Sequence, residues 1–268
     1  MNGSNRSLKD GRGMVIQERD RHLLRELGFM RVIDREQAKI VAGFGSTTRA
    51  NARLLALTRA GLLRRFFLGT VAGGAKALYT LTEKGARLVG VPESGPRRRR
   101  DEAVVADFFI QHQLATNEVY CALKYSHETQ GGIVFKRWMG FPKRPVPGRR
   151  LIPDGYFELE TPSGILAAFL EVDLGHERPR VWQDKVRNYL DLAVSGNFER
   201  EFKQSRFRVL VVTDSDRRLG AIRQAVLPLT DKIFWFATFE SIRIHGLFAS
   251  IWWRPKGEGT QPLIRETR

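Results

Sequence analysis

Apolar residues near the start of the chain recur at helical spacing in three short segments. These segments cover residues 16–28, 34–43 and 46–61, and each ends at a glycine suited to a helix C-cap. The second and third begin at an aspartate and a serine, which commonly cap helix N-termini. Two strand-like runs follow, 62–68 and 76–82, with a glycine-containing turn between them. The pattern predicts three helices followed by a hairpin.

Beyond residue 100, a long helix with an apolar face precedes several shorter strand-like patterns. The helix is predicted over 101–125. The later elements are predicted in this order: strands over 133–138, 151–160 and 165–175, a helix over 178–194, a strand over 206–213, a helix over 214–226, and strands over 233–240 and 251–255. This order favours a mixed α/β layer whose core packs against the long helix. The order of strands within the sheet does not follow from the pattern.

A break in the pattern divides the chain into two predicted domains. Gly95 and Pro96 interrupt helix formation, and four consecutive arginines after them repel one another and stay solvated. The sequence therefore predicts the following division: a first domain over 14–92, a basic linker over 93–100, a second domain over 101–256 and a flexible tail over 257–268.

Positive charge is concentrated in the first part of the chain. The protein has 45 Lys and Arg against 29 Asp and Glu, a net charge of +16. Residues 1–100 hold 21 basic and 8 acidic residues, a net charge of +13, whereas residues 101–268 are close to balanced. Such a concentration suits a polyanion, because each phosphate contact releases condensed counterions. A solubilising surface is the alternative explanation.

Several classes of protein are disfavoured by composition. A hydrophobic fraction of 42% is enough for a sizeable core. The single cysteine, Cys121, excludes an internal disulfide and a cysteine-based zinc site. The apolar run 165–170 is far shorter than the ~20 residues that span a bilayer, and residues 1–13 lack the apolar segment of a secretory signal. Residues 43–45 lack the spacing and lysine of a phosphate loop. We expect a cytoplasmic, DNA-associated protein with no membrane contact, zinc or nucleotide.

The first domain resembles the winged helix-turn-helix of bacterial regulators in its element order and in the segments GLLRR and YTLTEKG. On the third helix, Ala50, Leu54 and Leu57 predict a buried stripe, and hydroxyl and arginine side chains fall on the other side, as a helix in the major groove needs. The candidate DNA-binding residues are Thr48, Arg49, Arg53 and Arg59 on this helix, Arg64, Arg65 and Lys76 on the hairpin, and Arg97, Arg98, Arg99 and Arg100 in the linker. A dimerising hairpin, solvated arginines and a linker without DNA contact are the alternatives.

Three carboxylates mark the ends of predicted strands in the second domain. Asp154 precedes one strand, and Glu171 and Asp173 end the next, two residues apart and therefore on the same face. If the strands are adjacent, the three acids converge, and carboxylate oxygens suit Mg²⁺ or Mn²⁺. Such an ion can polarise a phosphodiester and acidify a bound water. Ordinary surface acids are the alternative.

The order of these motifs resembles the PD-(D/E)XK nuclease superfamily. Pro153-Asp154 and then Glu171-x-Asp173 follow the order of its motifs. Lys185-x-x-x-Tyr189 on the following helix is similar to the Gln-x-x-x-Tyr signature of its exonuclease branch. Placed after a winged helix, they resemble more narrowly the replication-relaxation proteins of bacterial plasmids and mobile elements. This resemblance implies an α+β or α/β fold, with an N-terminal winged helix-turn-helix followed by a restriction-endonuclease-like mixed sheet flanked by helices.

One position departs from the superfamily pattern. Asp173 stands where the pattern has a lysine, so either Lys185 supplies the ammonium and Asp173 joins the metal ligands, or catalysis has been lost. The resemblance thus implies either a metal-dependent nicking or relaxing nuclease, with Asp154, Glu171, Asp173 and Lys185 as catalytic residues, or a non-catalytic regulator of transcription or replication. An adaptor that brings DNA to another enzyme is a third reading. Double-stranded DNA and a homodimeric partner are expected for the first two.

Overall fold

The computed structural model describes residues 14–69, 73–92, 103–125, 132–141, 143–145, 151–175 and 177–264. Contacts divide the chain into two compact units, Met1–Cys121 and Ala122–Arg268. Among the described residues, none of the helices combines the length and apolar character needed to cross a membrane.

The first unit combines helices with a small antiparallel sheet. Its elements are α1 (Glu18–Met30), β1 (Ile33–Asp34), α2 (Arg35–Ala42), α3 (Thr47–Arg59), β2 (Leu63–Gly69), β3 (Ala75–Leu81), α4 (Glu83–Val89) and α5 (Ala103–Lys124), whose last residues enter the second unit. The predicted N-caps are confirmed: Asp34 Oδ1 accepts a hydrogen bond from the Gln37 amide at 2.8 Å, and the Ser46 hydroxyl accepts one from the Arg49 amide. The predicted end of the first helix at Gly28 is wrong, because α1 continues to Met30 and Arg31 is its C-cap. The strand order is β1-β3-β2.

Two elements of the first unit, β1 and α4, were not predicted. The β1 strand has only two residues and pairs with β3, so it leaves no periodic pattern in the sequence. Helix α4 begins after Thr82, whose hydroxyl accepts a hydrogen bond from the Gly85 amide. A Cβ at Gly85 would stand 2.2 Å from the Leu62 carbonyl oxygen, so this turn of α4 depends on glycine.

Helix α5 packs mainly within the first unit, whereas the sequence placed it in a second domain starting at residue 101. Asn117 Nδ2 donates hydrogen bonds to the carbonyl oxygens of Met30 at 3.0 Å and Val32 at 2.7 Å. Ile110 and Leu114 lie in one apolar cluster with Val32. Contacts divide the two units at the Cys121–Ala122 junction within α5, whereas the sequence pattern placed the start of the second domain at residue 101. The apolar face of the helix was visible in the sequence, but the surface that it covers was not.

The second unit contains a seven-stranded mixed sheet. Its elements are β4 (Val134–Met139), β5 (Gly155–Thr161), β6 (Gly164–Asp173), α6 (Pro179–Val194), α7 (Asn197–Phe202), β7 (Arg208–Thr213), α8 (Asp216–Val226), β8 (Phe234–Thr238), α9 (Phe239–His245), β9 (Trp252–Trp253) and β10 (Thr260–Gln261). The strand order is β10-β9-β8-β7-β6-β5-β4. Strands β6, β7 and β8 are parallel, and the other pairs are antiparallel.

One face of this sheet carries the main core of the second unit. Aromatic side chains from β5, β6, α6 and α7 pack together there, including Tyr156, Phe169, Tyr189 and Phe202. Because β6 and β7 are parallel, the chain must return through α6 and α7 before β7 begins. This return brings the start of α6 beside the carboxyl end of β6, where the predicted acidic residues lie.

The described part of the expected tail, residues 257–264, contacts the sheet. Thr260 and Gln261 pair with β9, and Leu263 is buried. Its carbonyl oxygen accepts a hydrogen bond from Arg208 of β7. A two-residue strand in a segment rich in glycine and proline has no periodicity of its own, so the sequence does not reveal this pairing.

Candidate functional site

The α3 helix presents a polar face beside a buried stripe. Ala50, Leu54 and Leu57 are buried, as predicted from their spacing. The exposed residues of the other side include Thr48, Arg49, Asn51 and Arg59. Asn51 was not among the predicted contacts, although its place one residue after the buried Ala50 could have indicated it. This face combines hydroxyl, amide and guanidinium groups.

Arg53 does not belong to that exposed face. Its Nε donates a hydrogen bond to Asp20 Oδ1 at 2.8 Å, and its Nη2 donates to Asp20 Oδ2 and, at 2.7 Å, to the Val15 carbonyl oxygen. Asp20 is 0% exposed, and its hydrogen bond raises the pKa of the Arg53 guanidinium. Arg53 thus joins α3 to the N-terminal part of α1, and its contact with DNA stays a prediction.

The hairpin of β2 and β3 contributes two exposed arginines, Arg64 and Arg65. The Arg65 guanidinium lies over the ring of Phe67, 4.7 Å from the ring centre. Lys76 is exposed as predicted but forms an ion pair with Asp34, the residue that caps α2. The four predicted linker contacts, 97–100, lie outside the described residues.

Glu171 is the centre of a buried polar cluster in the second unit. It is 1% exposed, and its Oε2 accepts a hydrogen bond from Lys185 Nζ at 2.7 Å. Its Oε1 accepts a hydrogen bond from the Tyr189 hydroxyl. Lys185 also lies 2.8 Å from Glu177 Oε1. The helix α6 thus places Lys185 and Tyr189, one turn apart, over the end of β6.

Asp154 adjoins this cluster at the start of β5. Its Oδ2 accepts a hydrogen bond from the Val172 amide at 2.7 Å, and its own amide donates to the Leu170 carbonyl oxygen at 3.1 Å. These bonds continue the pairing of β5 with β6 and hold Asp154 beside Glu171. The predicted convergence of these two acids is therefore present.

Burial controls the protonation of the cluster. It raises the pKa of Glu171 to about 7, with a further increase from the Asp154 charge, and Lys185 opposes the increase. Burial disfavours the charged form of Lys185, but Glu171 and Glu177 outweigh it and raise its pKa. Burial and Glu171 also raise the pKa of Tyr189 well above its usual value, so its hydroxyl remains a donor.

Asp173 belongs to a separate set of contacts. Arg218 donates to both of its oxygens, Nε to Oδ1 at 2.9 Å and Nη2 to Oδ2 at 2.6 Å. The Trp182 indole donates to Oδ2, and the Gly175 amide to Oδ1, each at 2.7 Å. Burial would raise the pKa of Asp173, but these donors outweigh it and lower the pKa. The sequence pattern did not indicate Arg218 as a partner, because only the parallel pairing of β6 and β7 brings α8 to Asp173. Trp182, on the helix that directly follows β6, was not predicted as a partner either.

The three predicted metal ligands do not share one set of free oxygens. Both oxygens of Asp173 already accept charge-assisted hydrogen bonds, and the Lys185 ammonium contacts Glu171. Within the described residues, no group of three or more histidine, cysteine, aspartate or glutamate side chains is arranged to hold a metal ion. As positioned, Asp154, Glu171 and Asp173 do not fit a divalent ion held by all three.

Fold and site together define a two-unit α+β protein, with an exposed polar helix in one unit and a buried acid–lysine–tyrosine cluster in the other. Residues 24–204 match the family model described as Replication-relaxation. The chain belongs to the replication-relaxation family, as its motifs predicted, and this membership suggests a role in the replication of a plasmid or mobile element. Comparison with curated proteins found no match, and neither did comparison with solved structures.

Proposed function

We propose that the protein binds double-stranded DNA during replication of a plasmid or mobile element, and that its first unit is a winged helix-turn-helix. The observation that carries this proposal is the exposed face of α3. Thr48, Arg49 and Asn51 present on it the donors that contact phosphates and base edges in a major groove.

The surroundings of α3 support the same function. Helices α2 and α3 pack together, as in a helix-turn-helix, and the antiparallel hairpin of β2 and β3 follows directly. Arg64 and Arg65 on the hairpin are exposed and suited to the DNA backbone. The net charge of +13 over residues 1–100 would attract a polyanion over a distance. A homodimer on a palindromic site stays a prediction from the winged-helix resemblance.

Replacing Arg49 with alanine is expected to weaken duplex binding about tenfold, because one charged contact with a base or phosphate is lost. The affinity is measured by fluorescence anisotropy with a labelled duplex over a series of salt concentrations. Arg87→Ala is the matched control, because Arg87 is 74% exposed on α4 and is paired with Glu83. Equal affinities of the two variants would contradict the assignment of α3 to DNA.

A metal-dependent nuclease activity of the second unit is the second candidate function. Lys185 favours it, because its ammonium reaches Glu171 from the helix, as the resemblance required in the absence of a lysine at 173. Asp173 is held by Arg218 and does not support it. Such an activity would require Lys185 to release Glu171 before that carboxylate and Asp154 could hold an ion.

Incubation with supercoiled plasmid distinguishes DNA binding alone from metal-dependent cleavage. The protein is tested with Mg²⁺, with Mn²⁺ and with EDTA, beside Glu171→Gln and the control Glu201→Gln, an exposed glutamate of α7. Metal-dependent nicking that disappears only in Glu171→Gln would establish the nuclease. Plasmid that is retarded but uncut under every condition would exclude cleavage and leave DNA binding as the function.

A further inference from the structure

The β2–β3 hairpin exposes an aromatic ring beside a guanidinium, and this pair extends the proposed DNA-binding function, on which the inference rests. Phe67 is 49% exposed although it lies inside a strand. The Arg65 guanidinium lies 4.7 Å from the centre of its ring, a distance typical of a cation–π contact. Arg65 and Phe67 are two residues apart, so they lie on the same face of β2.

The hairpin holds this ring on a rigid support. The adjacent residues of β2, Phe66 and Leu68, point to the opposite face and pack with Ile110 and Leu114 of α5. Register in the hairpin is therefore determined by a buried apolar cluster, because a slip by one residue would bury Phe67 and expose its neighbours. The ring has a defined position before any ligand arrives.

Small residues lie opposite Phe67 and towards the turn on its own face of the hairpin. Phe67 pairs with Ala77, and Gly69, two residues further along β2, pairs with Ala75. The residues opposite Phe67 and Gly69 on β3 thus carry side chains no larger than a methyl group, whereas Arg65 and Tyr79 form the next pair on the same face. Leu63, at the start of β2, lies on the same face and is buried. Strand β2 contacts α3.

We propose that Phe67 is a base-stacking side chain that inserts at an unstacked base step of the duplex bound by α3. An apolar ring beside an arginine matches a nucleic acid in both respects, because the base offers a flat apolar surface and the adjoining phosphate a negative charge. Arg65 orients the ring and places its own charge near that phosphate. We therefore expect the protein to prefer a duplex with a weakened base step. Unstacking two bases costs free energy, and this cost is smaller at a mismatch than in a fully paired duplex.

The test compares a fully paired duplex with the same duplex carrying one central mismatch, by fluorescence anisotropy. The wild-type protein is expected to bind the mismatched duplex more tightly, and Phe67→Ala to lose about tenfold in affinity for it. Phe67→Tyr retains the ring and should keep the preference. Phe29→Ala is the matched control, because Phe29 is 60% exposed on α1 and outside the hairpin. Arg49→Ala should weaken binding to both duplexes equally.

The proposal is overturned if the wild-type protein shows no preference for the mismatched duplex, or if that preference persists in Phe67→Ala. It is also overturned if Phe67→Ala loses the same affinity for both duplexes, because Phe67 would then be a general DNA contact. Tighter binding of single-stranded oligo(dT) than of either duplex would also overturn it, in favour of single-strand binding. If the wild-type protein binds no DNA, the proposed function itself fails. If Arg49→Ala lowers duplex affinity but Phe67→Ala changes nothing, only the stacking role fails. Unchanged melting temperatures of the variants show that folding is intact.

Discussion

Replacing Arg218 with methionine is expected to lower the free energy of unfolding of the second unit by about 3–5 kcal/mol. The substitution leaves the Asp173 carboxylate buried with donors from Trp182 and Gly175 but without a positive charge. Removing one partner of a buried ion pair is costly because the other charge is then neither hydrated nor neutralised. Methionine keeps most of the apolar stem, so the loss reports the guanidinium rather than a cavity.

Urea denaturation followed by tryptophan fluorescence measures this effect. All five tryptophans lie at or beyond residue 138, and Trp182 itself contacts Asp173, so the signal reports the second unit. Arg217→Met, an exposed neighbour on α8, is the control and should change stability by less than about 0.5 kcal/mol. A similar small change in Arg218→Met would show that Asp173 does not depend on the ion pair. Adding Asp173→Asn to Arg218→Met should recover part of the loss.

The cost of Arg218→Met should also depend on pH. Arg218 and the other donors lower the pKa of Asp173 in the folded protein, so their stabilisation is present above the pKa of an unfolded aspartate, about 4. It is lost as the pH falls through the lowered folded value. The difference between wild type and variant should therefore be largest near neutral pH and shrink below about pH 4. A difference independent of pH would assign the loss to packing instead.

Replacing Arg53 with methionine is expected to destabilise the first unit by about 3 kcal/mol without a specific loss of DNA affinity. The guanidinium neutralises the fully buried Asp20 and donates to the Val15 carbonyl oxygen. Asp20 also accepts a hydrogen bond from the Gln17 amide at 2.6 Å, so the same carboxylate caps α1. The first unit contains no tryptophan, so its unfolding is followed by hydrogen exchange of α1 and α3 amides.

Arg49→Ala, on the same helix, is expected to change DNA affinity but not stability, the opposite of Arg53→Met. It should weaken duplex binding and leave amide protection in α1 and α3 unchanged, whereas Arg53→Met should lower protection and keep duplex affinity at a temperature where the unit is folded. A large affinity loss in folded Arg53→Met would return Arg53 to the DNA-binding surface. Wild-type amide protection in Arg53→Met would contradict the stabilising role of the ion pair between Arg53 and Asp20.

Local patterns predicted most elements of both units. The helices α2 and α3 begin after Asp34 and Ser46 because a side-chain oxygen and an apolar period coincide there. The alternating and apolar runs that became β5, β6 and β7 were equally visible. The short elements β1 and β10 were not, because two residues form a strand only when a neighbouring strand supplies its hydrogen bonds.

The candidate site was predictable where it depends on one or two adjacent elements. Glu171 and Asp154 meet because β5 and β6 are consecutive antiparallel strands, and Lys185 and Tyr189 face them from the next helix. The partner of Asp173 was not predictable, because Arg218 follows β7, which pairs with β6 only after a long return.

The sequence by itself determined the types of most elements, the N-caps of α2 and α3, the family and the concentration of positive charge, since each depends on neighbouring residues or on composition. Only the tertiary structure decided that α5 packs within the first unit and that Arg53 neutralises a buried aspartate. It also decided that Asp173 pairs with Arg218 rather than sharing free oxygens with Glu171. The physical reason is common to all three. The sequence shows that a buried charged or apolar side chain needs a partner. It does not show which partner, because that depends on which distant segment packs against the side chain.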